Sequence, residues 1–171
     1  MPPLIIGPRR VALIGAIVAV ALTIIFYPLI VETPIDPEKV DIKLSRVQLA
    51  SGSTGEQKLV LSITFNTTNR NDITLTVSRI DYDLSADGVR LGSSTLSYED
   101  VPLNGRPALF SGTTVPLTDN SFTLPYSDQN AEIFNKILNN TSQVKWSVTG
   151  SAFLESGTTQ AQNPKVFSSE L

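Results

Sequence analysis

Residues 11–31, VALIGAIVAVALTIIFYPLIV, carry no charge, and Thr23 is their one strongly polar side chain. At a rise of about 1.5 Å per residue, about 21 such residues match a bilayer core of about 30 Å. Inside hydrocarbon every backbone N–H and C=O needs a partner within the segment, so this run is expected to form a single transmembrane helix. Everything after it is polar, rich in Ser, Thr and Asn, and patterned like strands. The chain therefore reads as a short cytoplasmic N-terminus (1–10), a transmembrane helix (11–31), a spacer (32–39), a β-domain (40–155) and a C-terminal tail (156–171).

The flanks set the orientation. Arg9 and Arg10 precede the run, whereas Glu32, Asp36 and Glu38 follow it. The positive-inside rule puts the N-terminus in the cytoplasm and the β-domain on the extracytoplasmic side of the cell membrane. A cleaved secretory signal would carry a shorter apolar core and a small-residue cleavage site. Here the run leads into FYPLIVETP, which offers no such site, so it reads as an uncleaved signal anchor. Gly15, Ala16 and Ala19 form a small-residue patch that suits packing against another helix. Gly and Ala are also common in membrane helices that pack on nothing.

The β-domain must fold without staples, because the chain contains neither Cys nor His. That excludes disulfides, thiolate nucleophiles, Cys-based metal centres and any Ser–His–Asp or Cys–His site. An enzyme would have to rely on carboxylates, Lys or Tyr, and the chain reads as non-catalytic with no cofactor and no metal. A formal net charge of −3 gives no basic surface for nucleic acid.

Alternation of apolar and polar residues places the strands. Val40, Ile42 and Leu44 alternate, and the parity shifts at Val47, which predicts a bulge near Ser45–Arg46. Residues 50–57, ASGSTGEQ, read as a flexible loop. Leu59, Leu61, Ile63 and Phe65 give the clearest strand, followed by a turn-rich connection over 66–72. The next strand runs through Ile73, Leu75 and Val77, shifts parity at Ser78–Arg79, and continues through Ile80, Tyr82 and Leu84. Asp87-Gly88 is a hairpin turn, since both residues accept positive φ. Residues 109–117 are a further strand, with Pro116 at an edge position. After a short apolar stretch, Phe122 to Tyr126, Ser127 is the expected N-cap of one short helix carrying Ala131, Phe134, Ile137 and Leu138 at helical spacing. Val144, Trp146 and Val148 alternate again, and 156–171 lack a pattern. Strands without an alternating strand–helix rhythm imply a mainly β fold, an antiparallel immunoglobulin-like sandwich of two sheets. Phe65, Tyr82, Phe134 and Trp146 are the expected centre of its core.

Three groups of polar residues have more than one reading. Asp81, Asp83 and Asp87 could gather round a hard cation, but their spacing matches no calcium loop, and the solvated outer face of a strand explains them. Asn66, Asn139 and Asn140 each begin an Asn-x-Ser/Thr acceptor pattern for N-glycosylation. Asn66 also suits a turn in which its side chain bonds nearby backbone.

The segments LVLSITFNTTNRNDITLTV, IDYDLSADGVRLGSSTL, FSGTTVPL, AEIFNKIL and VKWSVTGSAFL, in that order, resemble the late embryogenesis abundant type-2 family, also called the WHy (water stress and hypersensitive response) domain. The resemblance spans about Val40 to Leu154. In that family a strand ends in Asn with a second Asn soon after, often as Asn-Pro-Asn. Here Asn66 and Asn69 or Asn71 hold that place without the proline. Tyr82, Asp87-Gly88 and Leu91-Gly92 match the Tyr-bearing strand, turn and Leu-Gly pair that follow. The resemblance implies a fibronectin-III-like sandwich with one helix, membrane-anchored in several relatives. It further implies stress or desiccation protection, or a binding role, and supplies no catalytic residue. The alternative role is an accessory single-pass subunit of a larger membrane complex, its partner held through the transmembrane helix or a sandwich face.

Overall fold

The computed structural model describes residues 8–30, 35–50, 58–157 and 159–171; the side chains of 8–11, 27–30 and 103 lie outside that description. The chain divides into two compact units, Met1–Pro34 and Ile35–Leu171. The first holds one helix, α1 (Pro8–Ile30). Its described apolar side chains stand exposed, Leu13 at 63% and Ile24 at 69%. Thr23 Oγ1 satisfies itself on the Ala19 carbonyl one turn back, at 2.9 Å. Among the described residues no helix is long and apolar enough to cross a membrane.

The second unit is mainly β. Its strands are β1 (Val40–Leu49), β2 (Lys58–Asn69), β3 (Leu75–Ala86), β4 (Val89–Ser97), β5 (Ala108–Leu109), β6 (Thr114–Pro125), β7 (Trp146–Ser156), β8 (Thr159–Gln160) and β9 (Lys165–Glu170), with helix α2 (Ala131–Asn139) between β6 and β7. One sheet has the order β1-β2-β6; the other runs β4-β3-β7-β8, with β5 also on β3 and β9 also on β7. The strand pairings are antiparallel. The inward residues of β2 (Leu59, Leu61, Ile63, Phe65) and of β3 (Ile80, Tyr82, Leu84) are buried between the sheets. Phe65 stands edge-on to Tyr82 at 5.1 Å between centroids and to Phe167 at 5.9 Å. All four expected core aromatics, Phe65, Tyr82, Phe134 and Trp146, are buried.

Both parity shifts mark bulges. The β1–β2 register slips between Leu44 and Arg46, and the β3–β7 register slips between Val77 and Arg79. At the β3–β4 hairpin Asp87 has φ 49° and Gly88 φ 82°, the two positive angles a two-residue turn requires. Helix α2 is too short to persist alone and depends on docking Ile133, Phe134 and Ile137 into the core.

Four expectations need correction. The tail over 156–171 is a pair of strands: β9 pairs with β7 from Ser147↔Glu170 to Ala152↔Lys165 and seats Phe167 in the core. Residues 109–117 do not form one strand, because a turn with Gly112 at φ 73° separates β5 from β6. β6 instead runs on to Pro125, crossing a bulge opposite Ser62. The connection after β2 starts later than 66, since β2 continues to Asn69. The helix starts with Asn130 as its N-cap, and Ser127 begins the turn before it, its N–H donated to Asn130 Oδ1 at 2.9 Å. The expected loop at 50–57 lies outside the described residues from 51 onward, as do residues 1–7 and 31–34.

Gly150 on β7 sits opposite Tyr82 on the neighbouring strand β3. A Cβ there would run into the Asp81 carbonyl oxygen, and would lie 3.0 Å from both Phe167 Cζ and Tyr82 Cβ. Backbone cannot yield as a flexible side chain can, so Gly150→Ala is expected to destabilise by about 1–3 kcal/mol, the usual range for overpacking. Urea unfolding of the variant against the parent measures it.

Candidate functional site

The outer face of the large sheet collects the carboxylates singled out in the sequence. Alternation along β3 turns Asp81 and Asp83 away from the core, and the register sets Thr95 and Ser151 beside Asp81 and Ser93 and Thr149 beside Asp83. Together they line a shallow cleft of about 350 Å³. Each carboxylate is already engaged. Asp81 accepts from Arg79 Nε (3.1 Å) and Thr95 Oγ1 (2.8 Å). Asp83 accepts from Arg90 Nη2 (2.5 Å) and Ser93 Oγ (2.6 Å). Asp87, in the turn itself, accepts from Lys136 Nζ (2.5 Å) and the Lys145 N–H (3.0 Å). The structure thus separates the three carboxylates onto three basic partners. Among the described residues no group of carboxylates is arranged to hold a metal ion.

The Ser93 hydroxyl and then Arg90 hold the Asp83 carboxyl below its ordinary value, and Lys136 and then the Lys145 N–H do the same for Asp87. A depressed folded value means stability that is present above the unfolded carboxylate range and lost as pH falls through the folded value. Thermal melts taken from about pH 5 down to about pH 2 are therefore expected to fall, with a shallower fall in Asp83→Asn. Both groups are exposed and screened, so the effect is small.

A second polar cluster lies inside the sandwich, where the sequence reading placed none. Asp119 on β6 is 3% exposed. Its Oδ2 accepts from Tyr82 Oη (2.6 Å) on β3 and Ser94 Oγ (2.9 Å) on β4. Its Oδ1 accepts from the Ser121 N–H (2.8 Å) and Ser121 Oγ (2.5 Å) across the β6 bulge. One carboxylate therefore ties the small sheet to two strands of the large one. Burial first, and the adjoining Asp119 second, push the Tyr82 phenol well above its ordinary value. It stays a donor throughout the ordinary pH range. Alternation from Leu117, opposite Phe65, carries Asp119 inward opposite Ile63, just before the bulge.

The Asn cluster resolves differently from its sequence reading. Asn66 is exposed in the middle of β2, while Asn69 and Asn71 are 0% and 3% exposed. Asn69 Nδ2 donates to the Ile73 and Leu109 carbonyls, both at 2.8 Å, and its Oδ1 accepts from the Asn71 N–H at 2.9 Å. Asn71 in turn exchanges bonds with the Asp36 backbone, N–H to Oδ1 at 3.0 Å and Nδ2 to the carbonyl at 3.1 Å. The pair forms a clasp joining the start of the domain, the end of β2 and β5. Arg106 and Glu155, 11% and 12% exposed, form a further bridge at 2.5 Å.

Of the glycosylation candidates, Asn66 and Asn139 are exposed, Asn139 as the last residue of α2. Asn140 is exposed too, but its Oδ1 accepts from the Ser142 N–H (3.0 Å) and Ser142 Oγ (2.6 Å). Gly15, Ala16 and Ala19 lie on α1, and a Cβ at Gly15 would meet nothing within 4 Å.

No family model matches the sequence, and no curated protein matches it. Solved structures do. A solution structure from Arabidopsis thaliana is 10% identical, covers 82% of this chain and 85% of its own, and superposes with a TM-score of 0.51. A crystal structure from Archaeoglobus fulgidus is 15% identical over 75% of this chain and 94% of its own, with a TM-score of 0.41. A protein described as late embryogenesis abundant is 12% identical over 95% of this chain and 84% of its own, with a TM-score of 0.37. The likeness to the Arabidopsis protein shows that the antiparallel sandwich is a fold this chain shares with a solved plant protein.

Proposed function

We propose that the chain is a non-catalytic, membrane-anchored member of the late embryogenesis abundant type-2 (WHy) group, displaying its sandwich on the extracytoplasmic side for stress protection or binding at the envelope. The observation that carries the reading is the buried Asn69–Asn71 clasp. Asn69 and Asn71 are the two candidates for the second asparagine that the resemblance sets after Asn66, and the clasp gives both a structural reason, two amides that close the domain's end. The sandwich fold shared with the Arabidopsis protein is in keeping with it. The anchor is supported by the uncharged sequence over 11–31 and by the exposed apolar side chains of α1. The non-catalytic role is supported by the lack of His and Cys in the chain and by the engagement of Asp81, Asp83 and Asp87 with basic side chains. On an exported domain the exposed Asn66, Asn139 and Asn140 would be open to glycans, since the Ser142 bonds engage Asn140 Oδ1 and not the Nδ2 that carries a glycan.

The test is protection against drying. A labile soluble enzyme dried and rehydrated with the full chain in lipid vesicles is expected to retain several-fold more activity than with empty vesicles. Equal loss in both would overturn the protective role and leave binding as the function to seek.

A further inference from the structure

Arg106 braces the connection from β4 to β5. Its Nε donates to the Val101 carbonyl at 2.8 Å and its Nη2 to the Glu99 carbonyl at 3.1 Å. Its Nη1 meets Glu155 Oε2 on β7 at 2.5 Å, and Glu155 Oε1 accepts from Gln160 Nε2 on β8 at 3.0 Å. The Arg106 and Glu155 side chains are 11% and 12% exposed, so the pair is largely withdrawn from water. Between the two carbonyls and the guanidinium lies a short 3₁₀ turn, Leu103–Gly105, closed by the Gly105 N–H on the Pro102 carbonyl at 2.8 Å.

That turn holds Asn104-Gly105, the chain's one Asn-Gly pair. Asparagine is among the thermolabile residues of a protein. Its amide is lost when the next residue's backbone nitrogen attacks the side-chain carbonyl, fastest where that residue has no side chain to crowd the ring. Asn104 and Gly105 are both exposed. Every other asparagine precedes a residue that bears a side chain. Asn69, Asn71, Asn120, Asn130 and Asn140 also have their amides in hydrogen bonds. The turn itself favours the bare residue, since a Cβ on Gly105 would lie 3.1 Å from Val101 Cγ1. Asp87-Gly88 offers the same backbone, but its carboxylate is a poor leaving group and is held by Lys136 and the Lys145 N–H.

We propose that Asn104 is a site of spontaneous covalent modification, and that the Arg106–Glu155 brace sets its rate. In the closed loop the Gly105 nitrogen is committed to the Pro102 carbonyl and the turn keeps it from the Asn104 side chain. Local opening of the loop frees it. The nitrogen then gives up its proton and attacks Asn104 Cγ. The new N–Cγ bond closes a succinimide ring, the Cγ–Nδ2 bond breaks, and ammonia leaves carrying the proton. Water opens the ring at either carbonyl. One opening leaves aspartate at 104, and the other leaves an aspartate linked to Gly105 through its side chain. Both put a carboxylate two residues before Arg106. The side-chain-linked product also adds one atom to the main chain between Arg106 and the Glu99 and Val101 carbonyls it holds. The loop is then too long for its own brace, and Arg106 and Glu155 lose their frame.

The purified full chain is incubated at mildly alkaline pH in heavy-oxygen water. Mass spectrometry follows the peptide around each asparagine, and an isoaspartyl methyltransferase marks the side-chain-linked product. Expected is heavy oxygen at position 104 well before any other asparagine, methyl label on the same peptide, and neither in Asn104→Gln, whose ring would be one atom larger. Glu155→Gln removes the charge that Arg106 meets, and is expected to raise the rate at Asn104 several-fold. Arg106→Lys keeps the ion pair without the planar fork that reaches both carbonyls, and is expected to do the same. Asn120, followed by Ser121 in β6, is expected to keep its parent rate in both variants, which separates loop opening from general unfolding. Conversion at 104 no faster than at Asn120 would overturn the site. An unchanged rate at 104 in both variants, or a rise shared equally by Asn120, would overturn the control by the brace.

Discussion

Replacing Asn69 by Leu, nearly isosteric but without polar atoms, is expected to cost the sandwich about 3–5 kcal/mol. The loss does not come from volume. Two carbonyls, Ile73 and Leu109, lose the Nδ2 donor, and the Asn71 N–H loses its acceptor. Asn69 is fully buried, so no water is at hand to replace it. A buried polar group left unpaired costs about 1–3 kcal/mol, and the contributions are shared rather than additive within one network. Asn69→Asp should be no better, because a carboxylate would face two carbonyls and the charge would be buried without a cation. Asn66→Leu serves as the contrast. It alters an exposed position in the same strand and should stay within about 0.5 kcal/mol. Denaturant unfolding of the three variants reads the difference, and equal effects at 66 and 69 would remove the clasp from its place in the fold.

The second large effect is expected at Asp119. Asp119→Ala strips acceptors from Tyr82 Oη, Ser94 Oγ and the Ser121 N–H at once, and leaves a hole between the sheets. A loss of about 2–4 kcal/mol follows from the unpaired donors and the missing volume. Tyr82→Phe removes a single donor and should cost about 1–1.5 kcal/mol. If the bond between them is what matters, the double variant Asp119→Ala with Tyr82→Phe will be less destabilised than the sum of the two. Strict additivity would show that Tyr82 and Asp119 act independently.

The strands were legible where one face is apolar and the other is not. Leu59 to Phe65 announces β2, and the parity shifts at Ser45–Arg46 and Ser78–Arg79 announce bulges because an extra residue swaps the two faces. The turn was legible because Asp87-Gly88 has few other uses. β9 was not, since KVFSSE sends one apolar side chain, Phe167, inward and leaves Val166 72% exposed. Its existence depends on pairing with β7, which no local pattern reports. The polar clusters were hidden for the same reason. Asp87 meets Lys136, 49 residues away, and Asp119 meets Tyr82, 37 residues away. A carboxylate in a Ser/Thr/Asn-rich stretch looks solvated until the fold brings its donors. The Asn cluster was half legible: the residue type and the place were visible, but the choice among Asn66, Asn69 and Asn71 needed the register of β2.

The measurement that bears most directly on the proposed anchored module separates the two units. Cells expressing the full chain, and cells expressing a chain that starts at Ile35, are lysed and their membranes washed at alkaline pH. The full chain is expected to stay with the membrane pellet, and in intact cells stripped of their outer layers its C-terminal domain should be open to added protease. The shorter chain should be soluble and folded. Release of the full chain by the alkaline wash, or protection of its sandwich in intact cells, would contradict an extracytoplasmic domain held by a single apolar helix.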